Sequence, residues 1–432
     1  SKGKKVGGYD RTPSELTLKL IEEGADIHYE EEPEKIPGEF KNPESTLVVY
    51  TAAMPEDHIL LQYFRKHGFT IYKRAQVLGM LTRSSKGLCA AGTHGKTTTS
   101  TMTAHLLHQS PVGCDAFLGG ISKNYGTNLL LSDNSAYVVI EADEFDRSFH
   151  WLSPYATIIT STDADHLDIY GTEEAYLESF NHYTSLIQPG GALIIREGIR
   201  LQPRLQEGVR LYTYSSESGD FHAENIRIGG GEIVFDYVSP LGNISDVQLG
   251  VPVAINIENG IAAMALAQLG GVSNEDIKTG MASFRGVDRR FDFKIKTDKV
   301  VYLSDYAHHP EEIKQSILSM RALYEGKRLT GIFQPHLYTR TRDFYQEFAE
   351  SLSLLDEVIL TDIYPARELP IEGVSSQLIY DNLRPDINKT LCKKEEVIDI
   401  LKKKEIEVLM TLGAGDIENY APQICEILNE RC

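Results

Sequence analysis

A glycine-rich segment early in the chain carries residue types that bind phosphate. It consists of Gly92, Thr93, His94, Gly95, Lys96, Thr97 and Thr98. Glycine lets backbone N–H groups turn towards phosphate oxygens, and the N-terminus of a following helix adds partial positive charge. We expect Lys96 to reach the β- and γ-phosphates of a nucleotide and Thr97 to offer its hydroxyl to Mg²⁺. Because Ala90 stands where a general P-loop has its first glycine, the alternative is a strand–helix turn that binds no ligand.

Acidic residues follow two predicted strands of the same region. Glu141 directly continues the apolar run Tyr137–Ile140, and Asp163 and His166 follow a second apolar run, Thr157–Thr160. Carboxylates at the carboxyl end of a strand beside a phosphate loop are hard ligands for Mg²⁺. The sequence therefore predicts a metal ligand at Glu141 and a metal or phosphate ligand at His166. A solvated acidic loop and a structural histidine are the alternatives.

Two motifs in the last third of the chain combine tyrosines, histidines and arginines. One runs from Asp305 to Pro310 and the other from Gln334 to Arg342. Each follows a predicted strand and precedes a predicted helix, which is where the ligand-binding crevice of an open α/β sheet lies. Arginines in such a crevice suit carboxylates or phosphates. Ordinary surface charge is the alternative.

Three blocks of alternating strands and helices are predicted to position these motifs, with residues 1–86, 87–293 and 294–432 as domains. The first and third blocks have the pattern of parallel α/β sheets. The second block begins with the strand before the glycine loop and continues into a helix that ends near His108. Residues 208–251 show short alternating strands with glycine turns, which predict an antiparallel insertion. The fold class is therefore α/β.

The third block is predicted to contain four strands and three helices. The strands are Val300–Ser304, Leu329–Phe333, Glu357–Thr361 and Glu407–Thr411. The helices are Pro310–Tyr324, Phe344–Leu354 and Glu395–Lys403.

The first block begins in the middle of a βαβ unit. A strand at Lys4–Tyr9 precedes a helix over Ser14–Glu23, for which Thr12 is the predicted N-cap and Glu15 its capping-box partner. A second strand follows near Ala25–Tyr29. A doubly wound domain normally starts one strand earlier, with a glycine-rich turn. We therefore expect that first strand and its turn to be missing from this chain.

The composition of the 432 residues limits the possible classes of protein. The chain has 43 basic and 62 acidic side chains, a net charge of −19, and 41% hydrophobic residues. These values are typical of a globular protein and argue against broad nucleic-acid binding, which needs a basic surface. The sequence contains no run of about 18 apolar residues, so it predicts no segment that spans a membrane. The five cysteines are scattered without a CxxC pair, which predicts reduced thiols in a cytoplasmic protein.

Together the motifs resemble those of the Mur ligase family of ATP-dependent, amide-forming ligases. The resemblance covers residues from about 45 to 416 in family order. The segments that carry it are Ala91–Thr98, Glu141–Glu144, Ala164–His166, Asn256 with Asn259, Gly286–Phe293, Asp305–Pro310, Gln334–Arg342, Tyr364–Glu368 and Gly413–Asp416.

The resemblance implies three domains and a set of ligands. The first domain is Rossmann-like and binds a UDP-sugar, the central domain is P-loop ATPase-like with the antiparallel insertion, and the third is Rossmann-like and binds an amino acid. The residues implied to bind ATP are Gly92–Thr98, Asn256, Asn259, Arg289, Arg290 and Asp305. One Mg²⁺ is implied at Thr97 and Glu141, and a second at His166. The amino-acid site is implied to contain Tyr306, His308, His336, Arg340 and Arg342, with Lys96, His308 and Arg340 as catalytic residues.

The sequence departs from the family pattern in three places. Ile255 stands where a histidine often precedes Asn256, so the adenine contacts are expected to differ. Leu337 stands where an arginine commonly follows Gln-Pro-His, which leaves carboxylate recognition to Arg340 or Arg342. The glycine loop that holds uridine diphosphate in the first domain is not in the chain.

The resemblance is strongest to the alanine-adding branch of the family. No lysine lies between Gly171 and Gln188, where some sister ligases carry a carbamylated lysine. In that branch L-alanine is joined to the lactyl carboxylate of UDP-N-acetylmuramate through an acyl phosphate. One alternative is the recycling branch, which attaches a tripeptide to the same sugar nucleotide and usually has an insertion where Phe145–Pro154 is compact here. The other is a regulator that binds ATP without catalysis.

Overall fold

The computed structural model describes residues 3–51, 54–163, 167–229, 231–366 and 368–430. The chain forms two compact units. Unit 1 comprises Ser1–His94, Ala136–Leu193 and Ile199–Arg210, and unit 2 comprises Gly95–Ser135, Ile194–Gly198 and Leu211–Cys432. Among the described residues, no helix combines the length and the apolar character that spanning a bilayer requires.

Strands and helices alternate along the first part of the chain. In order they are β1 (Gly7–Tyr9), α1 (Glu15–Glu22), β2 (Asp26–His28), β3 (Leu47–Tyr50), α2 (Ile59–Lys66), β4 (Thr70–Lys73), α3 (Arg74–Ser84), β5 (Lys86–Ala91), α4 (Lys96–His108), β6 (Asp115–Ser122) and β7 (Thr127–Leu130).

The middle of the chain contains the remaining elements of the second block. They are β8 (Tyr137–Ala142), β9 (Ala156–Ile159), α5 (Leu167–Tyr170), α6 (Glu173–Thr184), β10 (Ala192–Arg196), β11 (Arg210–Tyr214), β12 (His222–Gly229), β13 (Glu232–Val238), β14 (Ile244–Gln248), α7 (Ile255–Leu269) and α8 (Asn274–Ser283).

The last part of the chain again alternates strands with helices. The elements are β15 (Asp292–Lys296), β16 (Val301–Asp305), α9 (Pro310–Leu323), β17 (Leu329–Phe333), α10 (Tyr338–Leu352), β18 (Glu357–Leu360), α11 (Gln377–Asn382), β19 (Asn388–Leu391), α12 (Val397–Lys402), β20 (Val408–Leu412) and α13 (Ala421–Asn429).

In unit 1, β5 lies between two parallel partners, β8 and β9. Its residues Leu88 to Ala91 are almost completely buried, which explains the apolar run before the glycine loop. Because the carboxyl ends of parallel strands meet at one edge, the loops after β5, β8 and β9 lie near one another. Two smaller parallel pairs, β1 with β2 and β3 with β4, complete the strand pairing described for residues 3–91.

The N-terminus of α1 differs from the prediction. Ser14 rather than Thr12 is the N-cap, because Ser14 Oγ accepts a hydrogen bond from the Thr17 N–H at 3.2 Å. Thr17 Oγ1 in turn accepts one from the Ser14 N–H at 2.8 Å, which completes a capping box. Thr12 is predicted as the N-cap because a proline follows it, and proline is common at the first helical position. In the structure Pro13 lies before the N-cap. The side chain of Glu15, the predicted partner, lies outside the described residues.

Unit 2 contains the predicted antiparallel insertion and a mixed sheet. Strands β12, β13 and β14 pair antiparallel, as the glycine turns of residues 208–251 predicted. The mixed sheet has the order β15–β16–β20–β17–β18–β19, with β15 antiparallel to β16 and the other pairs parallel. The prediction of four strands missed β15 and β19, which stand at the two ends of this order. The four predicted strands are the central ones, and their carboxyl ends share one edge.

Helix α10 begins earlier than predicted. The pattern of apolar residues predicted a start at Phe344, whereas the helix starts at Tyr338 and is kinked at Phe344, where φ is −126° and ψ is 18°. The reason is a contact that helical periodicity does not reveal. The N–H of Thr339 donates to a carboxylate oxygen of Glu368, which lies in the loop after β18.

The close packing of α3 on the turn that contains Trp151 makes a prediction about stability. A Cβ added at Gly79 would lie 2.2 Å from the Trp151 carbonyl oxygen. Gly79→Ala is therefore expected to lower the free energy of unfolding by about 1–3 kcal/mol, the usual cost of overpacking, as measured by urea unfolding. Gly38→Ala is the control, because a Cβ there meets no atom within 4 Å. Equal stability of the two variants would contradict the packing described.

Candidate active site

The glycine loop leaves the carboxyl end of β5 and is held by the segment that follows β9. Gly92 has a φ of 129°, and a Cβ there would lie 2.2 Å from Thr160 Oγ1 and 2.8 Å from the Ser161 nitrogen. The Thr93 N–H donates to the Ser161 carbonyl at 3.2 Å, and the His94 N–H donates to Ser161 Oγ at 2.8 Å. Only glycine fits at position 92, since it combines the left-handed φ with the close approach.

The side chain of Thr93 makes a second connection to the same region. Its Oγ1 donates to the Asp163 carbonyl at 2.7 Å and lies 2.8 Å from the hydroxyl of Tyr176. Thr160 Oγ1 donates to the His94 carbonyl and also lies 3.1 Å from the Ala91 carbonyl oxygen. The first half of the loop is thus held by hydroxyl groups that the glycine-loop motif itself does not include. The sequence feature that could have indicated this role is the run Thr160, Ser161 and Thr162, directly after an apolar strand.

Glu141 stands at the carboxyl end of β8, where the sequence placed it. It is the register partner of Ala90 in β5, and one of its carboxylate oxygens is shielded from solvent. A carboxylate at this edge has the hard oxygen donors that Mg²⁺ prefers, so Glu141 fits the predicted metal role. The described side chains contain no cluster of three or more His, Cys, Asp and Glu placed to share one metal ion. His166, the other predicted ligand, lies outside the described residues.

The second half of the loop opens α4 in unit 2. Gly95 is the N-cap with a φ of 81°, and Lys96, Thr97 and Thr98 form the partly exposed first turn. Backbone N–H groups of a first turn have no partner within the helix, so this turn suits a phosphate group. The hydroxyl of Thr97 is also an oxygen donor of the kind that Mg²⁺ accepts.

Asn256 and Asn259 form a buried chain of hydrogen bonds. Thr99 Oγ1 lies 3.4 Å from Asn259 Oδ1, Asn259 Nδ2 donates to Asn256 Oδ1 at 3.1 Å, and Asn256 Nδ2 donates to the Val251 carbonyl at 3.1 Å. Both asparagines are less than a tenth exposed. They therefore connect α4 with α7, a packing role that the sequence did not indicate. Their contact with adenine stays a prediction.

Arg289 and Arg290 lie against Tyr306. Their guanidinium carbons are 4.6 and 5.2 Å from the centre of the tyrosine ring, and the Tyr306 N–H donates to the Arg289 carbonyl at 2.7 Å. Arg289 also forms an ion pair with Glu418 and donates to the Gly415 carbonyl at 3.3 Å. The two arginines predicted to contact the nucleotide thus touch a tyrosine predicted to line the amino-acid site.

Asp305 is a buried carboxylate that binds the residue after Arg290. Its Oδ1 accepts from the Phe291 N–H at 3.2 Å and its Oδ2 accepts from the hydroxyl of Ser316. Burial raises the pKa of Asp305 above its ordinary value, although these two donors oppose the increase. Both oxygens therefore already have protein partners, and the predicted contact of Asp305 with the nucleotide stays a prediction.

Four of the predicted amino-acid-site residues lie together at the carboxyl edge of the mixed sheet. The ring centres of Tyr306 and His308 are 5.3 Å apart, and those of His308 and His336 are 6.1 Å apart. Arg340 Nη1 lies 3.3 Å from His336 Nδ1. We call these four residues the histidine–arginine cluster. Residues from two separate motifs thus form one site.

Arg342 does not join the histidine–arginine cluster. Its guanidinium pairs with Asp343 at 2.7 Å, and its side chain is 53% exposed. Residues two positions apart on a helix face away from each other, so Arg342 and Arg340 point in different directions. The structure therefore places Arg340, but not Arg342, in the cluster, and the recognition of a carboxylate by either arginine stays a prediction.

Two residues that the sequence analysis gave no role complete the surroundings of the cluster. The ring of Tyr364 stacks on His336, with 5.8 Å between centres and 17° between planes. Glu312 accepts from the His308 N–H at 3.1 Å and from the His309 N–H at 3.3 Å. Glu312 could have been found as the third residue of the helix that begins at Pro310, the position of a capping-box acid.

Both imidazoles of the cluster are neutral at pH 7. Burial lowers the pKa of His308, and the charge of Arg340 lowers it further, whereas Glu312 acts in the opposite direction. Burial and the Arg340 charge lower the pKa of His336 to about 4. A neutral imidazole can accept a proton, so the cluster combines a fixed positive charge with a base.

The lowered pKa of His336 predicts a dependence of stability on pH. The histidine takes up its proton near pH 6.5 at its ordinary pKa, as in the unfolded chain, but only at about pH 4 in the folded protein. The free energy of unfolding is therefore expected to decrease as the pH falls through this range. His336→Gln should make the decrease smaller in urea unfolding at several pH values, whereas the exposed His67→Gln should not. An identical slope in wild type and His336→Gln would contradict the buried neutral state.

Comparison with known proteins identifies the family over the whole chain. Three protein-family models match the chain. They are "Mur ligase family, catalytic domain" at residues 1–86, "Mur ligase middle domain" at 90–267 and "Mur ligase, glutamate ligase domain" at 289–417. A relative from Phocaeicola vulgatus, a UDP-N-acetylmuramate–L-alanine ligase, is 78% identical over 431 residues, which are 100% of this chain and 94% of the relative. A relative of the same name from Porphyromonas gingivalis is 54% identical over 435 residues, 100% of this chain and 95% of the relative.

Solved structures share the fold. The UDP-N-acetylmuramate–alanine ligase MurC from Thermotoga maritima matches with a TM-score of 0.81 and 25% identity, over 99% of this chain and 94% of that chain. A murein peptide ligase from Psychrobacter arcticus matches with a TM-score of 0.63 and 20% identity over the same shares. The fold is thus α/β with three domains, as predicted, and its sheets are mixed. These matches, with the glycine loop and the histidine–arginine cluster, show that the chain belongs to the Mur ligase family.

Proposed function

We propose that the protein is an ADP-forming ligase that joins L-alanine to the lactyl carboxylate of UDP-N-acetylmuramate in the cytoplasm. The observation that supports this most is the 78% identity, over the whole chain, to a relative named for this reaction. We assign the UDP-sugar to residues 1–86, ATP to residues 87–293 and the amino acid to residues 294–432.

In the first step the lactyl carboxylate attacks the γ-phosphorus of ATP, so an acyl phosphate forms and ADP leaves. The glycine loop and the first turn of α4 bind the phosphates, and Lys96 neutralises charge on the transferred group. Thr97, Glu141 and His166 are the residues that would hold Mg²⁺, which supplies further neutralisation of phosphate charge when bound. Because the loop is already fixed by Thr160 and Ser161, little reorganisation is needed when ATP arrives.

In the second step the amine of alanine attacks the acyl carbon and phosphate leaves. Arg340 binds the carboxylate of alanine, since its planar guanidinium suits a carboxylate. His308 Nδ1 lies 2.9 Å from the Tyr306 carbonyl oxygen, which can only accept, so Nδ1 carries the hydrogen. His308 Nε2 is therefore the unprotonated nitrogen, and we assign it the proton that the ammonium group must lose.

The role of Lys96 is tested by replacing it. Lys96→Ala is expected to reduce ADP release that depends on both UDP-N-acetylmuramate and alanine by at least about 100–1,000-fold, because a preorganised charge on the transferred phosphate is lost. ADP release is followed in a coupled assay. Lys86→Ala is the matched control, since Lys86 is an exposed lysine at the opposite end of β5. Near-normal turnover of Lys96→Ala would contradict the proposed phosphate site.

The choice between alanine and a peptide is tested by offering the two amine substrates in separate assays. Phosphate release with UDP-N-acetylmuramate and ATP is expected to be faster with free L-alanine than with an L-alanyl tripeptide. The compact turn at Phe145–Trp151, where a recycling ligase is expected to carry an insertion, supports this choice. Faster release with the tripeptide would favour the recycling branch, and release that needs no sugar nucleotide would exclude both branches.

A further inference from the structure

The first turn of α10 depends on contacts from outside the helix. Leu337, the residue before it, has a φ of 73° and a ψ of 137°, and its side chain provides no cap. A non-glycine residue holds such a φ only where the surroundings impose it. The kink at Phe344 also separates residues 338–343 from the rest of α10. The turn that carries Arg340 is therefore not held in place by the helix alone.

Glu368 provides the missing cap. Its Oε2 accepts from the Thr339 N–H at 3.0 Å, and its Oε1 accepts from the Thr339 hydroxyl. Burial raises the pKa of Glu368, but hydrogen bonds from the first turn of α10 outweigh this and leave the pKa below its ordinary value. Glu368 is thus ionised at neutral pH, and a negative charge is favoured at a helix N-terminus.

The loop that contains Glu368 also holds the residues before the turn. The Leu337 N–H donates to the Tyr364 carbonyl at 3.0 Å, and the Tyr364 N–H donates to the Pro335 carbonyl at 2.8 Å. The Tyr364 ring stacks on His336. The loop after β18 therefore contacts the segment before Arg340 through Tyr364 and the first turn of α10 through Glu368.

We propose that Glu368 is a positioning residue that sets the affinity for the amino acid through Arg340. The inference rests on the proposed function, in which Arg340 binds the carboxylate of alanine. Arg340 follows Thr339 directly, and its Nη1 reaches His336 Nδ1 at 3.3 Å only if the first turn keeps its orientation. Glu368 itself acts through Thr339 and needs no contact with the substrate.

The test compares Michaelis constants in two variants of Glu368. Glu368→Ala removes both acceptors and is expected to raise the KM for L-alanine about tenfold, because a displaced binding group can cost up to about 100-fold. Glu368→Gln keeps one acceptor for the Thr339 N–H and should lie between wild type and Glu368→Ala. The KM for ATP should change less than about twofold in both variants. The phosphate-binding residues belong to a different segment of the chain, and substitutions at separate sites act independently. Glu347→Ala is the matched control, an exposed carboxylate on the same helix.

A double variant separates positioning from general stability. If Glu368 acts through Arg340, Glu368→Ala should raise the KM for alanine much less in an Arg340→Lys background than in the wild type. The same increase in both backgrounds, or an unchanged KM for alanine in Glu368→Gln and Glu368→Ala, would overturn the proposal.

Substitutions of Thr339 keep the test decisive if Glu368→Ala fails to fold. Thr339→Val removes the hydroxyl and should raise the KM for alanine, whereas Thr339→Ser keeps the hydroxyl and should not. An equal KM in the two variants would count against the proposal. If the wild-type protein showed no alanine-dependent turnover, the proposed function itself would be overturned. That result differs from an unchanged KM for alanine in the variants, which would overturn only the role of Glu368.

Discussion

Negative charge on the proposed ligands is the constraint on which the candidate site depends. ATP, a UDP-sugar and the carboxylate of an amino acid must all bind to a chain whose net charge is −19. The chain as a whole repels them, so binding relies on local positive charge. In the proposed function, the N-terminus of α4 with Lys96 provides this charge for phosphate, and Arg340 provides it for the carboxylate. Arg340 contacts a neutral imidazole, His336, so its charge is not already neutralised there.

Cations that pair with Asp292, close in sequence to Arg289 and Arg290, serve structure as well as charge. Asp292 has a fully buried carboxylate that pairs with Lys123 and, at 2.6 Å, with Lys294. Burial alone would lower the pKa of Lys294, but the hydrogen bond to Asp292 raises it above its ordinary value. Buried pairs of this kind cost desolvation energy and are costly to break from one side. The pair with Lys123, which follows β6, connects the start of β15 to another part of the chain, and β15 directly follows the arginines that touch Tyr306.

The sequence predicted those features that depend on neighbouring residues. The glycine loop, Glu141 at the end of β8 and the central strands of the mixed sheet follow from apolar runs and the residues that end them. It failed where distant residues decide the outcome. The start of α10 depends on Glu368, and this early start places Arg342 on the exposed side of the helix. The buried amides of Asn256 and Asn259 depend on a helix more than a hundred residues earlier, to which no local pattern points.

In the proposed function, the charge of Arg340 connects binding of the amino acid with its deprotonation by His308. In the structure this charge helps to lower the pKa of His308, which keeps the imidazole neutral and ready to accept a proton. In the proposed function the carboxylate of the amino acid pairs with Arg340 and offsets this part of the decrease in the pKa of His308, whereas burial continues to lower the pKa. The ammonium group beside His308 is itself a positive charge and opposes this rise in the pKa until it loses its proton. The same guanidinium therefore favours deprotonation of a correctly bound amino acid over that of an amine without a carboxylate.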